Sequence, residues 1–144
     1  MLKNLPPLLS ADLLYHLRAM GHGDELAIVD ANFPAHSHAQ HHVALPGNQA
    51  TDVLDAVMSV LPLDSFVEHP ANHMQVVGEP QAVPEICREF SNILKQHQGH
   101  DVSLGSIERF DFYKRVKQCY LVISTSEARL YGNIIITKGI IAPD

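Results

Sequence analysis

Two cysteines, no block of like charge, no repeat at a fixed period and no apolar run near the length of a bilayer span set the first limits on this sequence. Cys87 and Cys119 lie far apart in apolar surroundings and form no Cys-x-x-Cys pair. Both therefore read as buried, reduced thiols rather than a staple or a redox motif. Without long apolar runs a membrane-spanning helix is not expected. The first nine residues carry two prolines where a signal peptide would need an unbroken apolar core, with Asp12 close behind, so the expected location is the cytoplasm. A basic excess is missing too: 10 Lys and Arg stand against 16 Asp and Glu, and they are scattered, which argues against a nucleic-acid partner.

What is present suffices for one compact domain spanning 1–144. In a chain of 144 residues, 46% are hydrophobic and only 18% charged, enough to build a real core. Ser10 reads as a helix N-cap, with Leu13, Leu14, Leu17 and Met20 on one face and Gly21 ending the helix. Leu26 to Val29 reads as a buried strand ending at Asp30, followed by a loop through Pro34 and a histidine-rich stretch. Strands are expected over 42–45, 65–68, 73–78, 101–107, 119–124 and 133–137. Helices are expected over 51–61, over 85–96 with Pro84 at its start and Gly99 at its close, and over 110–117. This alternation predicts a three-layer α/β domain with a mainly parallel sheet buried on both faces, its ligand site at the C-terminal ends of strands, where Asp30 and Ser124 fall.

Several polar groups could do chemistry. His22, in Gly21-His22-Gly23-Asp24, is sterically open, and an imidazole gives and accepts protons near neutrality; it could equally be a helix-end residue. Asp30 could bind neighbouring sugar hydroxyls or simply cap its loop. Arg109, ahead of Phe110, Phe112 and Tyr113, combines a forked donor with aromatic faces, a mixture that suits a sugar ring but also a core helix with a solvated end. Glu127, Arg129, Tyr131, Gly132 and Asn133 form a last polar cluster, as fit for a turn as for a ligand loop. His36, His38, His41 and His42 raise a metal hypothesis, but no Asp, Glu or Cys completes a recognised spacing.

Four ordered blocks carry a resemblance. They are Met20-Gly21-His22-Gly23-Asp24-Glu25; Asp30-Ala31-Asn32-Phe33-Pro34-Ala35-His36-Ser37; Arg109-Phe110 with Phe112-Tyr113; and Tyr131-Gly132-Asn133-Ile134 before Lys138-Gly139. From Leu2 to about Gly139 the chain resembles the fucose mutarotases, relatives of the ribose pyranases. Ribose-type members usually read Gly-His-Thr-Asp and Asp-Ala-Gly-Leu-Pro at the first two blocks, so Gly23 and Asn32-Phe33-Pro34 favour L-fucose. The resemblance implies a ribose-pyranase-like fold, His22 as catalytic acid/base, and Asp30, Arg109, Tyr131 and Asn133 as sugar ligands. It also implies a closed ring of subunits, often a decamer, in which neighbours help shape the pocket. The histidine-rich stretch departs from the family pattern.

Mutarotation needs one proton delivered to the ring oxygen and one removed from the anomeric hydroxyl, with no metal, nucleotide or covalent intermediate, so no cofactor is expected. The competing expectations are a sugar-binding protein without turnover and a metal-dependent hydrolase built on His36 to His42.

Overall fold

The structure is a computed structural model and describes residues 1–144. In chain order the elements are α1 (Ala11–Ala19), β1 (Glu25–Val29), α2 (Ala35–His38), β2 (His42–Leu45), α3 (Ala50–Met58), β3 (Ala71–Met74), α4 (Glu85–Gln98), β4 (Leu104–Ile107), α5 (Arg109–Gln118), β5 (Leu121–Thr125) and β6 (Ile134–Thr137). They build one six-stranded sheet in the order β2-β5-β1-β6-β3-β4. All strands run the same way except β6, which pairs antiparallel with β1 and β3.

The central strands read as unbroken apolar runs because both of their faces are covered. Leu26, Ile28, Leu121, Ile123, Ile134 and Ile136 face α1, α3 and α4, where they meet Leu13, Leu54 and Phe90. Ala27, Val29, Val122 and Ile135 face the other way, against Phe33, Phe112 and Val116. The expected three-layer αβα domain is therefore present, with the single inverted strand making the sheet mixed. No helix is long and apolar enough to cross a membrane.

Local differences have local causes. Residues 65–68 form bends rather than a strand, because the register of β6 is taken by β3, and only Leu63 bridges to Lys138. The strand expected over 73–78 runs over Ala71–Met74, since Gly78 turns the chain at φ 79° inside a Val76–Glu79 bridge. The stretch expected as loop beyond Pro34 contains the single helical turn α2. Ser10 caps α1 as expected, its side chain accepting from the Leu13 N–H at 3.2 Å. Cys87 and Cys119 are free and buried; burial pushes their thiols up to about 11 and about 12, which leaves both inert.

Candidate active site

In a parallel sheet the strand ends and following loops share one edge, and an inverted strand brings its start to that same edge. Asp30 follows β1, Met74 ends β3, Arg109 follows β4, and Tyr131 and Asn133 precede the inverted β6. Together they line a pocket of about 170 Å³ walled also by Phe33 and Tyr113. Asp30, Arg109, Tyr131 and Asn133, expected as sugar ligands from three separate stretches, are thus gathered in one cavity.

Asp30 and Asn133 are both buried and joined twice. The Asp30 N–H donates to Asn133 Oδ1 at 2.9 Å, and Asn133 Nδ2 donates to Asp30 Oδ2 at 2.8 Å. Asp30 Oδ1 accepts from the Asn32 N–H at 3.0 Å. Burial pushes the Asp30 carboxyl above its ordinary range, and the hydrogen bonds from Asn32 and Asn133 pull it partly back. Arg109 stays in solvent at the rim: its Nε donates to the Tyr113 hydroxyl at 3.3 Å and its guanidinium lies over the Phe110 and Tyr113 rings. Tyr131 stands in the left-handed region at φ 63°, and its hydroxyl accepts from the Val77 N–H across the pocket mouth at 3.1 Å.

His22 is elsewhere. It precedes β1 whereas Asp30 follows it, so a strand of five residues, roughly 17 Å long, separates them. At its own edge His22 Nε2 meets Asp64 Oδ1 at 2.9 Å, with the imidazole 45% exposed and the carboxylate 2%. A carboxylate only accepts, so Nε2 carries the proton and Nδ1 is left for exchange. The tail of β6 holds this pair: the Asp64 N–H donates to Thr137 O, the Gly23 N–H to Lys138 O, and Lys138 Nζ to the carbonyls of Leu17 and Met20 at the end of α1. Phe66 lies beside the His22 ring, 5.3 Å between centroids.

Asp64 was not legible in the sequence, because its part rests on a contact with a residue 42 positions away. Nothing local marked Phe33 as a pocket wall, whereas of the aromatics expected beside Arg109, Tyr113 lines the pocket, Phe112 is buried in the core and Phe110 is exposed. The four clustered histidines do not converge on one point. His36 and His42 stack edge-on at 4.2 Å, with His42 Nε2 on Ser124 Oγ; His38 turns to Pro34 and Tyr113, and His41 to Tyr120. No group of three His, Cys, Asp or Glu side chains that could hold a metal ion comes together in the chain.

Residues 3–141 match the model of the RbsD / FucU transport protein family. The chain belongs to the RbsD / FucU family. Its relatives include the fucose mutarotase of Homo sapiens, 42% identical over 98% of this chain and 95% of that protein. The L-fucose mutarotase of Haemophilus influenzae (strain 86-028NP) is 39% identical over 97% of each. Among solved structures of the RbsD / FucU fold, the fucose mutarotase in complex with L-fucose from Streptococcus pneumoniae superposes with a TM-score of 0.91 at 37% identity, covering 98% of this chain and all of that one.

Proposed function

We propose that this protein is a cofactor-free mutarotase, an isomerase that interconverts the α and β anomers of a free monosaccharide, with L-fucose the substrate. The observation that carries the reading is the buried Asp30–Asn133 pair opening into a small pocket with Arg109 and Tyr131, in a chain about 40% identical over nearly its full length to proteins named fucose mutarotase. Carboxylate, amide, guanidinium and phenol supply donors and acceptors for a ring of hydroxyls, while Phe33 and Met74 give an apolar wall for the carbon face. Those four polar side chains hold the sugar as His22 moves the proton. Ring opening takes a proton from the anomeric hydroxyl and gives one to the ring oxygen. Rotation about the C1–C2 bond and the reverse transfers then close the other anomer.

The position of His22 and the pocket at opposite edges of the sheet supports a reaction carried out at a junction between copies. Exposed Phe66 and Val67 beside His22 on one copy would cover exposed Val77, Phe110 and Leu130 around the pocket of the next. Such a head-to-tail contact joins two different surfaces and, if the rotation closes, gives a ring, in line with the closed ring, often a decamer, that the family resemblance implies. A cytoplasmic location agrees with its free thiols.

Magnetization-exchange NMR on equilibrated L-fucose tests the activity. Catalytic amounts of protein should speed α/β exchange well above the spontaneous rate. Exchange left at that rate despite saturable sugar binding would replace the enzyme with a sugar-binding protein.

A further inference from the structure

The loop joining β5 to β6 brings Tyr131 and Asn133 to the pocket in a conformation that must be held. Tyr131 has φ 63°, where a residue with a Cβ is crowded, and relaxing to negative φ would swing its ring away from the pocket and from Val77. Directly behind it, a Cβ on Gly132 would meet Glu127 Cγ at 2.7 Å and Ile86 Cδ1 at 3.0 Å. The Glu127 stem therefore packs where only glycine leaves room.

Glu127 is itself fastened on every side. Its side chain is 1% exposed, and its carboxylate accepts from the Arg129 N–H and Nε at 3.0 Å each and from Nη2 at 3.1 Å. The remaining arm of Arg129, Nη1, reaches Glu89 on α4 at 2.7 Å. Through its backbone Glu127 holds the other half of the site. Its carbonyl accepts from the Ala31 N–H, and its own N–H donates to Thr125 Oγ1, whose hydroxyl donates to Val29 O. Val29 and Ala31 are the two neighbours of Asp30. None of Glu127, Arg129 and Glu89 lines the pocket.

We propose that Glu127, locked by Arg129 and Glu89, is a positioning residue that sets the spacing of Asp30 against Tyr131 and Asn133 and so determines how tightly the sugar is held. The proposal rests on the mutarotase reading. A buried carboxylate costs more than an apolar side chain of the same shape, and here its return is a fixed turn rather than added stability. The groups it positions hold hydroxyls in the ground state and the transition state alike. Loosening them raises KM and leaves kcat, which depends on the proton-transfer group at the other edge of the sheet.

The test is saturation kinetics of L-fucose anomer exchange, with L-fucose binding and thermal melts, on E127Q, R129A, R129K, E89Q and the E127Q/R129A double variant. E127Q and R129A should each raise KM roughly ten- to a hundredfold with kcat held. R129K, which keeps the charge without the fork, should recover part of the loss, and the double variant should be no worse than R129A because both act through one contact. Unchanged KM in E127Q, additive losses in the double variant, or kcat falling in step with melting temperature would overturn the proposal. If E127Q does not fold, E89Q, which cuts only a half-exposed outer link, decides: a raised KM supports the proposal and an unchanged one overturns it. Absence of exchange by the parent would strike the mutarotase reading instead, and the equilibrium affinities for L-fucose would still decide the role of Glu127.

Discussion

With Nε2 of His22 committed to Asp64, the proton transfer proposed for this residue falls to one nitrogen, Nδ1, and depends on the buried carboxylate that keeps the ring in that tautomer. His22→Ala should lower kcat by roughly a hundred- to ten-thousandfold with folding and L-fucose affinity kept, measured by anomer exchange and circular dichroism. Asp64→Asn should lower kcat in the same direction, by less, with KM unmoved. Asp30 presents the opposite trade. Burial raises its proton affinity in the folded state, so its charge costs stability at neutral pH, and that cost fades as pH falls through the raised value and is gone below the ordinary carboxylate range. Asp30→Asn removes that charge but sets an NH2 group against the Asn32 N–H or Asn133 Nδ2 donor, so it should melt below the parent near pH 7, with the gap widening in acid as the parent sheds its charge cost, while its KM for L-fucose rises. A variant melting lower at pH 7 and recovering in acid would contradict the assignment of that cost.

Among the elements, β6 has the largest reach. Being inverted, it delivers Asn133 to the Asp30 edge with its first residues and supports the His22 edge with its last. Gly139, just beyond it, is pressed against the backbone of the Asp64 segment: a Cβ there would lie 2.5 Å from Leu63 O and 2.8 Å from Asp64 Cα. Gly139→Ala should cost about 1–3 kcal/mol of stability, as overpacking does, seen as a lower denaturation midpoint. It should also reduce kcat more than it changes KM, since what moves is the Asp64–His22 pair and not the sugar pocket.

For the whole molecule the decisive fact is that His22 and the pocket lined by Asp30, Arg109, Tyr131 and Asn133 sit at opposite edges of one sheet, which no side-chain motion within a copy can bridge. At L-fucose well below the raised KM of Asp30→Asn, mixing that variant with His22→Ala after mild dissociation should restore part of the exchange activity each lacks alone, because some junctions then pair an intact His22 with an intact pocket. Mixtures that stay inactive at the ring mass measured by sedimentation would place the reaction within one copy. Phe66→Asp should break the ring and the activity together while leaving the melt of the single chain close to the parent.

The sequence by itself determined the class of fold, because alternating helical periodicity and doubly buried strands such as Ile134 to Ile136 have few other solutions. It also marked Asp30, Arg109, Tyr131 and Asn133, which sit in recognisable blocks at strand ends. Only the tertiary structure decided the direction of β6, the pairing of Asp64 with His22, the separate partners of the clustered histidines and the distance between His22 and the pocket. Each of these depends on which segments the sheet order brings side by side, and contacts between residues 42 or 103 positions apart leave no periodicity or spacing in the local sequence from which to read them.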